Sequence, residues 1–308
     1  MTDSHPIVEC VPNFSEGIDR EKVIAIVGAM RVPGVSLLDW SADADHNRSV
    51  VTIAGSPDAV VESAVRGAGK AAEMIDLTRQ RGEHPRIGAA DVIPFVPVRD
   101  ISLVQCALLA RHAGLLIAER FGVPVYLYEA AASRPDRVNL EDVRRGQFEG
   151  LLRDALRDAT RRPDIGGPEL HPRAGASAVG ARRFLIAYNV FLTDGATANV
   201  SAARAIAREI RASNGGLSGV KAMGVLANGR AQVSMNITDF ERTPVSRVHT
   251  TLCEIAARHG VRLAEGELIG LIPEKAYEPN AEWVRQTVGF DPELKVLERR
   301  LQHPLPWP

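Results

Sequence analysis

The sequence has few cysteines, almost no net charge and no long apolar run. Its three cysteines, Cys10, Cys106 and Cys253, are widely spaced, and each stands in an apolar segment. They predict reduced core thiols in a cytoplasmic protein, not a disulfide framework or a metal knuckle. The formal net charge of −1 argues against nucleic acid or an anionic membrane as the main partner. Without a run of about 20 apolar residues or a signal-peptide pattern, we expect neither a membrane span nor secretion.

The order of the predicted elements is repeated along the chain. Hydrophobic periodicity predicts strand-helix-strand-strand-helix-strand in the first half, from residue 7 to 98, with its second helix over residues 58–79, and then a helix over about residues 103–121. It predicts the same order again from residue 183 to 272, with a helix over residues 196–211 and a strand over residues 220–227. This order predicts an α+β fold of two ferredoxin-like subdomains, residues 1–178 and 179–308, with a ligand cleft between them. A doubly wound parallel sheet is the alternative, and the tight predicted hairpins disfavour it.

Proline and glycine modify the prediction at three places. Pro94 and Pro97 predict that the strand over residues 92–98 lies at a sheet edge or at a bulge. The pair Asn228-Gly229 predicts a two-residue hairpin turn. Residues 163–180 contain three prolines and four glycines, and therefore predict an irregular segment. A segment of this length is either a functional loop or a linker.

The most informative segment is the loop of residues 81–95, Arg-Gly-Glu-His-Pro-Arg-Ile-Gly-Ala-Ala-Asp-Val-Ile-Pro-Phe. Its glycines and its first proline predict a tight loop that leads into a strand. His84 in this loop can accept and release a proton near neutral pH. A histidine in a surface turn is the alternative interpretation, because no partner of His84 is visible in the sequence.

The amino-acid sequence of this loop and of several other segments resembles that of the glutamate formiminotransferase family, which includes the N-terminal half of formiminotransferase-cyclodeaminase. The resemblance runs in order from about residue 7 to residue 275. Besides Gly82–Ala89, it rests on Val8–Gly17, on Asn47–Val50, on Pro124–Tyr128, and on the run Phe184–Asn189.

The resemblance implies transfer of the formimino group from N-formimino-L-glutamate to N5 of tetrahydrofolate, in histidine degradation and one-carbon metabolism. It implies that His84 transfers the proton, and that tetrahydrofolate is a co-substrate and no metal is needed. It also implies a homodimer. The implied folate-binding segment consists of Ile165, Gly166, Gly167, Pro168, Glu169, Leu170, His171, Pro172, Arg173 and Ala174.

N-formimino-L-glutamate, the donor, carries an amidinium and two carboxylates. The site therefore needs carboxylates to orient the amidinium and arginines to hold the carboxylates. Asp43 and Asp45 are candidates to orient the amidinium, and Arg48 and Arg86 are candidates to hold a carboxylate. The aspartates also fit turn chemistry, and the arginines also fit solvated surface positions. The Asp-x-Asp-His run differs from the animal enzymes, so no specific catalytic aspartate is carried over.

Three alternatives stay open at this point. N-formylglutamate is nearly isosteric with the formimino donor and is an alternative substrate. A metal-dependent hydrolase would use Asp43, Asp45, His46 and His84, although no paired histidine spacing supports it. A non-catalytic folate-binding module is the third alternative. We expect no cyclodeaminase activity, because no further helical domain follows in the sequence.

Overall fold

The computed structural model describes residues 5–82, 84–193 and 199–308. The chain forms two compact units, one made of Met1–Arg182 with Pro304–Pro308, the other of Arg183–His303. Each unit contains one β-sheet and several helices, so the predicted α+β class is confirmed. None of the helices in these ranges is long and apolar enough to span a membrane.

The first unit contains seven strands and five α-helices among its described residues. Its strands are β1 (Ile7–Cys10), β2 (Asn13–Phe14), β3 (Val35–Asp43), β4 (Arg48–Gly55), β5 (Ala90–Arg99), β6 (Val125–Glu129) and β7 (Ser177–Ala181). Its helices are α1 (Arg20–Ala29), α2 (Pro57–Met74), α3 (Leu103–Phe121), α4 (Leu140–Val143) and α5 (Gln147–Arg157). The helix predicted over residues 58–79 therefore ends five residues early.

These strands form one mixed sheet. The short strands β1 and β2 both pair with β4 on one side and with β5 on the other, and β3 pairs with the far side of β4. All of these pairs are antiparallel, whereas β7 runs parallel to both β5 and β6. Helices α2 and α3 pack on the sheet, α1 packs against α2, and the three helices contribute to the main apolar core of this unit.

Strand β5 lies inside the sheet, so of the two predicted positions, an edge or a bulge, the edge is excluded. Ile7 of β1 faces Arg99, but Val8 faces Pro97, so one residue of β5 is left over and a bulge forms. The bulge accommodates Pro97, as the alternative prediction allowed. Pro94 keeps its acceptor role, because its carbonyl receives a hydrogen bond of 3.2 Å from the amide of Val11.

The segment predicted as irregular contains a strand. Ser177–Ala181 forms β7, and all five of its residues are buried. At Gly180 an added Cβ atom would lie 2.5 Å from the carbonyl oxygen of Tyr128. Glycine there permits close contact between strands and is not a sign of a loop. Glycine and proline content alone therefore gave the wrong end for the irregular segment.

The second unit contains β8 (Ile186–Thr193), α6 (Val200–Ile210), β9 (Val220–Ala227), β10 (Arg230–Ile237), α7 (Val245–Arg258), β11 (Arg262–Ile269), α8 (Glu282–Gln286), α9 (Pro292–Lys295) and α10 (Leu297–Arg300). The four strands form an antiparallel sheet in the order β11-β8-β10-β9. The predicted Asn228-Gly229 hairpin is confirmed, with φ angles of 51° and 71° that suit a type I′ turn. The predicted start of α6 at residue 196 lies outside the described residues.

The cysteines only partly follow their prediction. Cys10 and Cys106 are buried free thiols, but Cys253 on α7 is exposed. An apolar sequence context is therefore not enough to place a cysteine in the core, since α7 turns one face to solvent.

Candidate active site

Two glycines bring the loop of His84 close to its neighbours in the first unit. At Gly82 an added Cβ atom would lie 2.4 Å from the carbonyl oxygen of His46, in the connection between β3 and β4. At Gly88 it would lie 2.0 Å from the carbonyl oxygen of Ala176. Side chains do not fit at such distances, so glycine is required at both positions. The loop is thus held between the β3–β4 connection and the segment that leads into β7.

His84 is partly buried, and its Nδ1 atom has two neighbours. Nη1 of Arg48 lies 3.0 Å away and the carbonyl oxygen of Pro85 lies 2.8 Å away. A neutral ring cannot satisfy both, because Nδ1 either accepts from Arg48 or donates to Pro85. In the second case Nε2 carries the free lone pair and can act as a base.

Arg48 belongs to a buried polar network centred on Asp91. The Oδ2 atom of Asp91 accepts from Nη1 of Arg48 at 2.9 Å and from Nη2 of Arg144. Its Oδ1 atom accepts from the amide of Ile87 at 2.8 Å. Nε and Nη2 of Arg48 both donate to Oδ1 of Asn13, at 3.1 and 2.8 Å. Asp91 therefore ties the loop of His84 to strand β4 and to the residue that ends α4.

Burial and charge determine the protonation states in this network. Desolvation, followed by the charges of Arg48 and Arg144, lowers the pKa of His84 to about 3. Burial alone would raise the pKa of Asp91, but the two arginines outweigh it and lower that pKa to about 2. Desolvation lowers the pKa of Arg48 to about 10 in spite of Asp91. At neutral pH the network consists of a neutral imidazole, one carboxylate and two guanidinium groups.

The connection between β3 and β4 lies beside His84. The ring of His46 is 6.3 Å from the ring of His84, centroid to centroid. Asp43 accepts from the amide of His46 at 2.9 Å, and its other oxygen is 3.1 Å from Nδ1 of that ring. The side chains of Asp43 and Asp45 are both exposed. Asp43 thus serves turn geometry, as the alternative interpretation held, and its partner His46 lies beside the candidate base.

Arg86 is buried, and most of its donors are bonded within the unit. Its Nε donates to Oε1 of Gln80 at 2.6 Å, and Nη1 and Nη2 reach the carboxylate of Glu149 at 3.2 and 2.9 Å. Nη2 also donates to the carbonyl of Leu77 at 3.3 Å. The solvated surface position that was the alternative for Arg86 is therefore wrong. Its predicted role in holding a substrate carboxylate stays a prediction.

The segment from Ile165 to Ala174 is fixed at both ends. Ile165 and Val125 exchange two backbone hydrogen bonds, of 3.1 and 2.9 Å, and His171 and Gly175 exchange two of 3.0 and 2.8 Å. The residues between these anchors divide into an exposed group and a buried one. Residues 166–169, 172 and 173 are exposed, whereas Leu170 and Ala174 are buried.

The end of this segment is bonded to the loop of His84. The amide of Ala89 donates to the carbonyl of Ala174 at 2.8 Å, and the amide of Ala176 donates to the carbonyl of Ile87 at 3.0 Å. The structure thus brings His84, Arg48 and the candidate folate segment into one part of the first unit. No group of three metal-ligating side chains lies close enough to hold an ion among residues 5–82, 84–193 and 199–308.

Sequence reasoning missed Asp91 and Arg144 and discounted Asn13. A signal existed for Asp91, because it directly adjoins the predicted apolar strand of residues 92–98, and a charge that such a strand buries is rare unless it is paired. Arg144 stands in a polar helical stretch with several other arginines, so nothing in the sequence separates it from its neighbours.

The comparison with known families decides what kind of protein this is. The formiminotransferase domain, N-terminal subdomain, matches residues 7–182, and the formiminotransferase domain matches residues 187–294. The chain belongs to the formiminotransferase family. The resemblance expected from the sequence is thereby confirmed, and the site around His84 lies in the part of the chain that matches the N-terminal subdomain of this family.

Curated relatives agree with this membership along nearly the whole chain. A glutamate formimidoyltransferase of Streptococcus pyogenes serotype M1 is 44% identical, with 96% of this chain and 98% of that protein covered. One of Thermoplasma acidophilum is 45% identical, with 96% and 97% covered. A formimidoyltransferase-cyclodeaminase of Gallus gallus is 42% identical over 90% of this chain but only 52% of its own length. This formiminotransferase chain therefore spans about half of the two-function relative.

Proposed function

We propose that the protein is a glutamate formimidoyltransferase, which moves the formimino group of N-formimino-L-glutamate to N5 of tetrahydrofolate. The observation that carries the proposal is His84, held neutral at physiological pH beside two largely buried arginines, Arg48 and Arg144. A neutral imidazole can take a proton, and arginines can hold carboxylates. The family membership and the relatives' names support the same reaction.

The reaction needs one proton acceptor that later becomes a donor. N5 of the reduced pterin attacks the amidine carbon, and the N5 proton passes to Nε2 of His84 as the bond forms. The tetrahedral intermediate then collapses: the glutamate nitrogen takes the proton from His84, and its bond to carbon breaks. The products are 5-formiminotetrahydrofolate and L-glutamate. The hydrogen bond from Nδ1 to the carbonyl of Pro85 would hold the ring in the tautomer that this requires.

The other predicted residues take supporting roles in this proposal. Arg48 holds a donor carboxylate through the N–H groups that its bonds to Asn13 and Asp91 leave free, since a guanidinium has five donors. The exposed Asp43 and Asp45 orient the amidinium. The exposed glycines of the segment that starts at Ile165 let its backbone approach the flat ring of the folate. Arg86 could take part only if its bonds to Glu149 opened, which makes it the weakest of these candidates.

We also infer a ferredoxin-like architecture for both units. In the second unit, four strands and two helices follow in the order β-α-β-β-α-β, with the last strand beside the first and the first beside the third. The first unit has the same arrangement from β1 to β5, with β7 and β6 added at the edge. Both observations support the inference. The folate cleft, the homodimer, the cytoplasmic location and independence from metal stay predictions.

A direct assay tests the proposed reaction. Purified protein is incubated with tetrahydrofolate and N-formimino-L-glutamate, and both the folate product and the released L-glutamate are measured. We expect His84→Ala to lower kcat by about 10²–10⁴-fold, the usual contribution of a positioned general base. His112→Ala is the matched control, because His112 is exposed on α3. A kcat of His84→Ala within about threefold of the wild type would contradict the assignment.

The same assay distinguishes the alternatives. N-formyl-L-glutamate, run in parallel, tests the formyl donor: the proposal requires a larger kcat/KM with the formimino donor. Tight binding of tetrahydrofolate without turnover of either donor would point to a non-catalytic binding module instead.

A further inference from the structure

The network of Asp91, Arg48 and Arg144 carries two positive charges and one negative charge. Asp91 is fully buried and carries one negative charge, while Arg48 and Arg144 both donate to the same oxygen of its carboxylate. The side chains of the two arginines are only 12% and 13% exposed. Burial of a charge costs free energy unless the charge is paired. Asp91 can neutralise only one of the two guanidinium groups, so an additional anion would stabilise the second.

Arg144 has a donor atom to which such an anion could bind. Its Nε atom is buried and has no hydrogen-bond partner in the part of the chain that the structure describes. Arg48 differs, because its Nε, Nη1 and Nη2 all have partners in Asn13 or Asp91. A buried donor without a partner costs free energy in the unliganded protein. A ligand oxygen that reached Nε of Arg144 would remove this cost.

The backbone of Arg144 is held in place at the end of α4. It is the C-terminal cap of α4, and its amide donates to the carbonyl of Leu140 at 2.9 Å. Its charge acts on His84, whose pKa it lowers. Arg144 and Arg48 share Oδ2 of Asp91, and Nη1 of Arg48 lies 3.0 Å from Nδ1 of His84, so the excess positive charge lies next to the proposed site of proton transfer.

From the buried donor and the excess charge, we infer that Arg144 binds a carboxylate of the glutamate part of the donor. The inference rests on the proposed function and adds a binding residue to it. The donor carries two carboxylates and one amidinium, so its net charge of −1 would match the excess of the network. A planar guanidinium suits a carboxylate, which it can bind through two parallel hydrogen bonds.

Binding of L-glutamate without folate tests this inference separately from turnover. Calorimetry measures its Kd for the wild type, for Arg144→Gln and for Arg145→Gln. Arg145 is the matched control, because it is the next residue, carries the same charge, and has a side chain that is 76% exposed. We expect Arg144→Gln to weaken binding by about ten- to hundredfold, the value of a charge-assisted hydrogen bond. Arg145→Gln should stay within about twofold.

Two further measurements distinguish binding from a structural role. In steady-state assays Arg144→Gln should raise the KM of the donor by a similar factor and leave the KM of tetrahydrofolate unchanged. L-glutamine and the α-amide of L-glutamate each lack one carboxylate. The analogue that lacks the carboxylate bound by Arg144 should bind the wild type about as weakly as L-glutamate binds Arg144→Gln. Arg144→Gln should bind that analogue and L-glutamate with about the same affinity.

The outcomes separate this inference from the proposed function. Absent transfer to tetrahydrofolate together with L-glutamate binding that depends on Arg144 would refute the proposed function but keep the anion site. Equal L-glutamate affinity in all three proteins, or equal rises in both KM values, would overturn the inference, and so would absence of L-glutamate binding to the wild type.

Discussion

Replacement of Asp91 by asparagine should reveal how much the buried network contributes to stability. The carboxylate is fully buried and accepts from Arg48, from Arg144 and from the amide of Ile87. Asparagine has nearly the same shape but no charge, so two largely buried guanidinium groups lose their counterion. Loss of one partner of a buried ion pair costs about 3–5 kcal/mol. Typical domains have about 5–15 kcal/mol in total, so the variant should fold but be much less stable.

The pH dependence of stability provides a second value for the contribution of the Asp91 carboxylate to the free energy of unfolding. The pKa of Asp91 is lowered from its ordinary 3.8 to about 2, which corresponds to roughly 2 kcal/mol of stability. A lowered carboxyl pKa stabilises the folded state above the unfolded pKa, and this contribution is lost as pH falls from about 4 towards 2. Urea unfolding at pH 7 and pH 3 should therefore show a smaller difference between the wild type and Asp91→Asn at the lower pH.

A matched control is available a few residues before Arg144. Asp142 pairs with Arg145 at 2.6 Å, but its side chain is 40% exposed, so Asp142→Asn should change the free energy of unfolding by less than about 1 kcal/mol. If Asp91→Asn unfolds within about 1 kcal/mol of the wild type at pH 7, Asp91 is not the centre of the network that we describe.

Three further outcomes follow from the site. Because the pKa of His84 is lowered to about 3, kcat/KM should stay flat from about pH 8 to pH 6, and an acid limb near 6.5 that His84→Ala removes would contradict this. Gly166 and Gly167 have φ angles of 71° and 81°, so valine at either should raise the folate KM more than the donor KM. Gly260→Val, with a φ of 70° and open space around it, is the strain control and should change neither KM. Treatment with a chelator should leave kcat unchanged, and activity lost to it and restored by a divalent ion would argue for a metal.

The sequence predicted which segments form helices and strands better than it predicted where each strand lies in the sheet. Periodicity identified α3 and β9 at their observed bounds, because both are regular and carry clear hydrophobic patterns. The prolines of β5 suggested an edge position that the strand does not have, and the glycines of β7 suggested a loop. In both cases long-range contacts decide: a bulge accommodates Pro97, and Gly180 lets Tyr128 approach. Such contacts are invisible to a local pattern.

The candidate site shows the same division. His84 and Arg48 could be selected because their motifs resemble a known family, whereas Arg144 could not. It is 53 residues away from Asp91 along the chain and reaches it only through the packing of α4. Partners that are distant in sequence are the part of a site that a single sequence does not reveal, and here they set the protonation state of the base.

The excess positive charge explains how one site could serve both a histidine base and a cationic amidinium. A protonated imidazole would repel the amidinium and could not accept the N5 proton, so the resting histidine has to be neutral. Arg48 and Arg144 enforce this, since their charges add to desolvation in lowering the pKa of His84. When a donor carboxylate binds to them, part of that charge is compensated and the pKa of His84 should rise towards its ordinary value. The imidazole would then become a stronger base when the substrate is in place, and an NMR titration of His84 with and without L-glutamate would measure this rise.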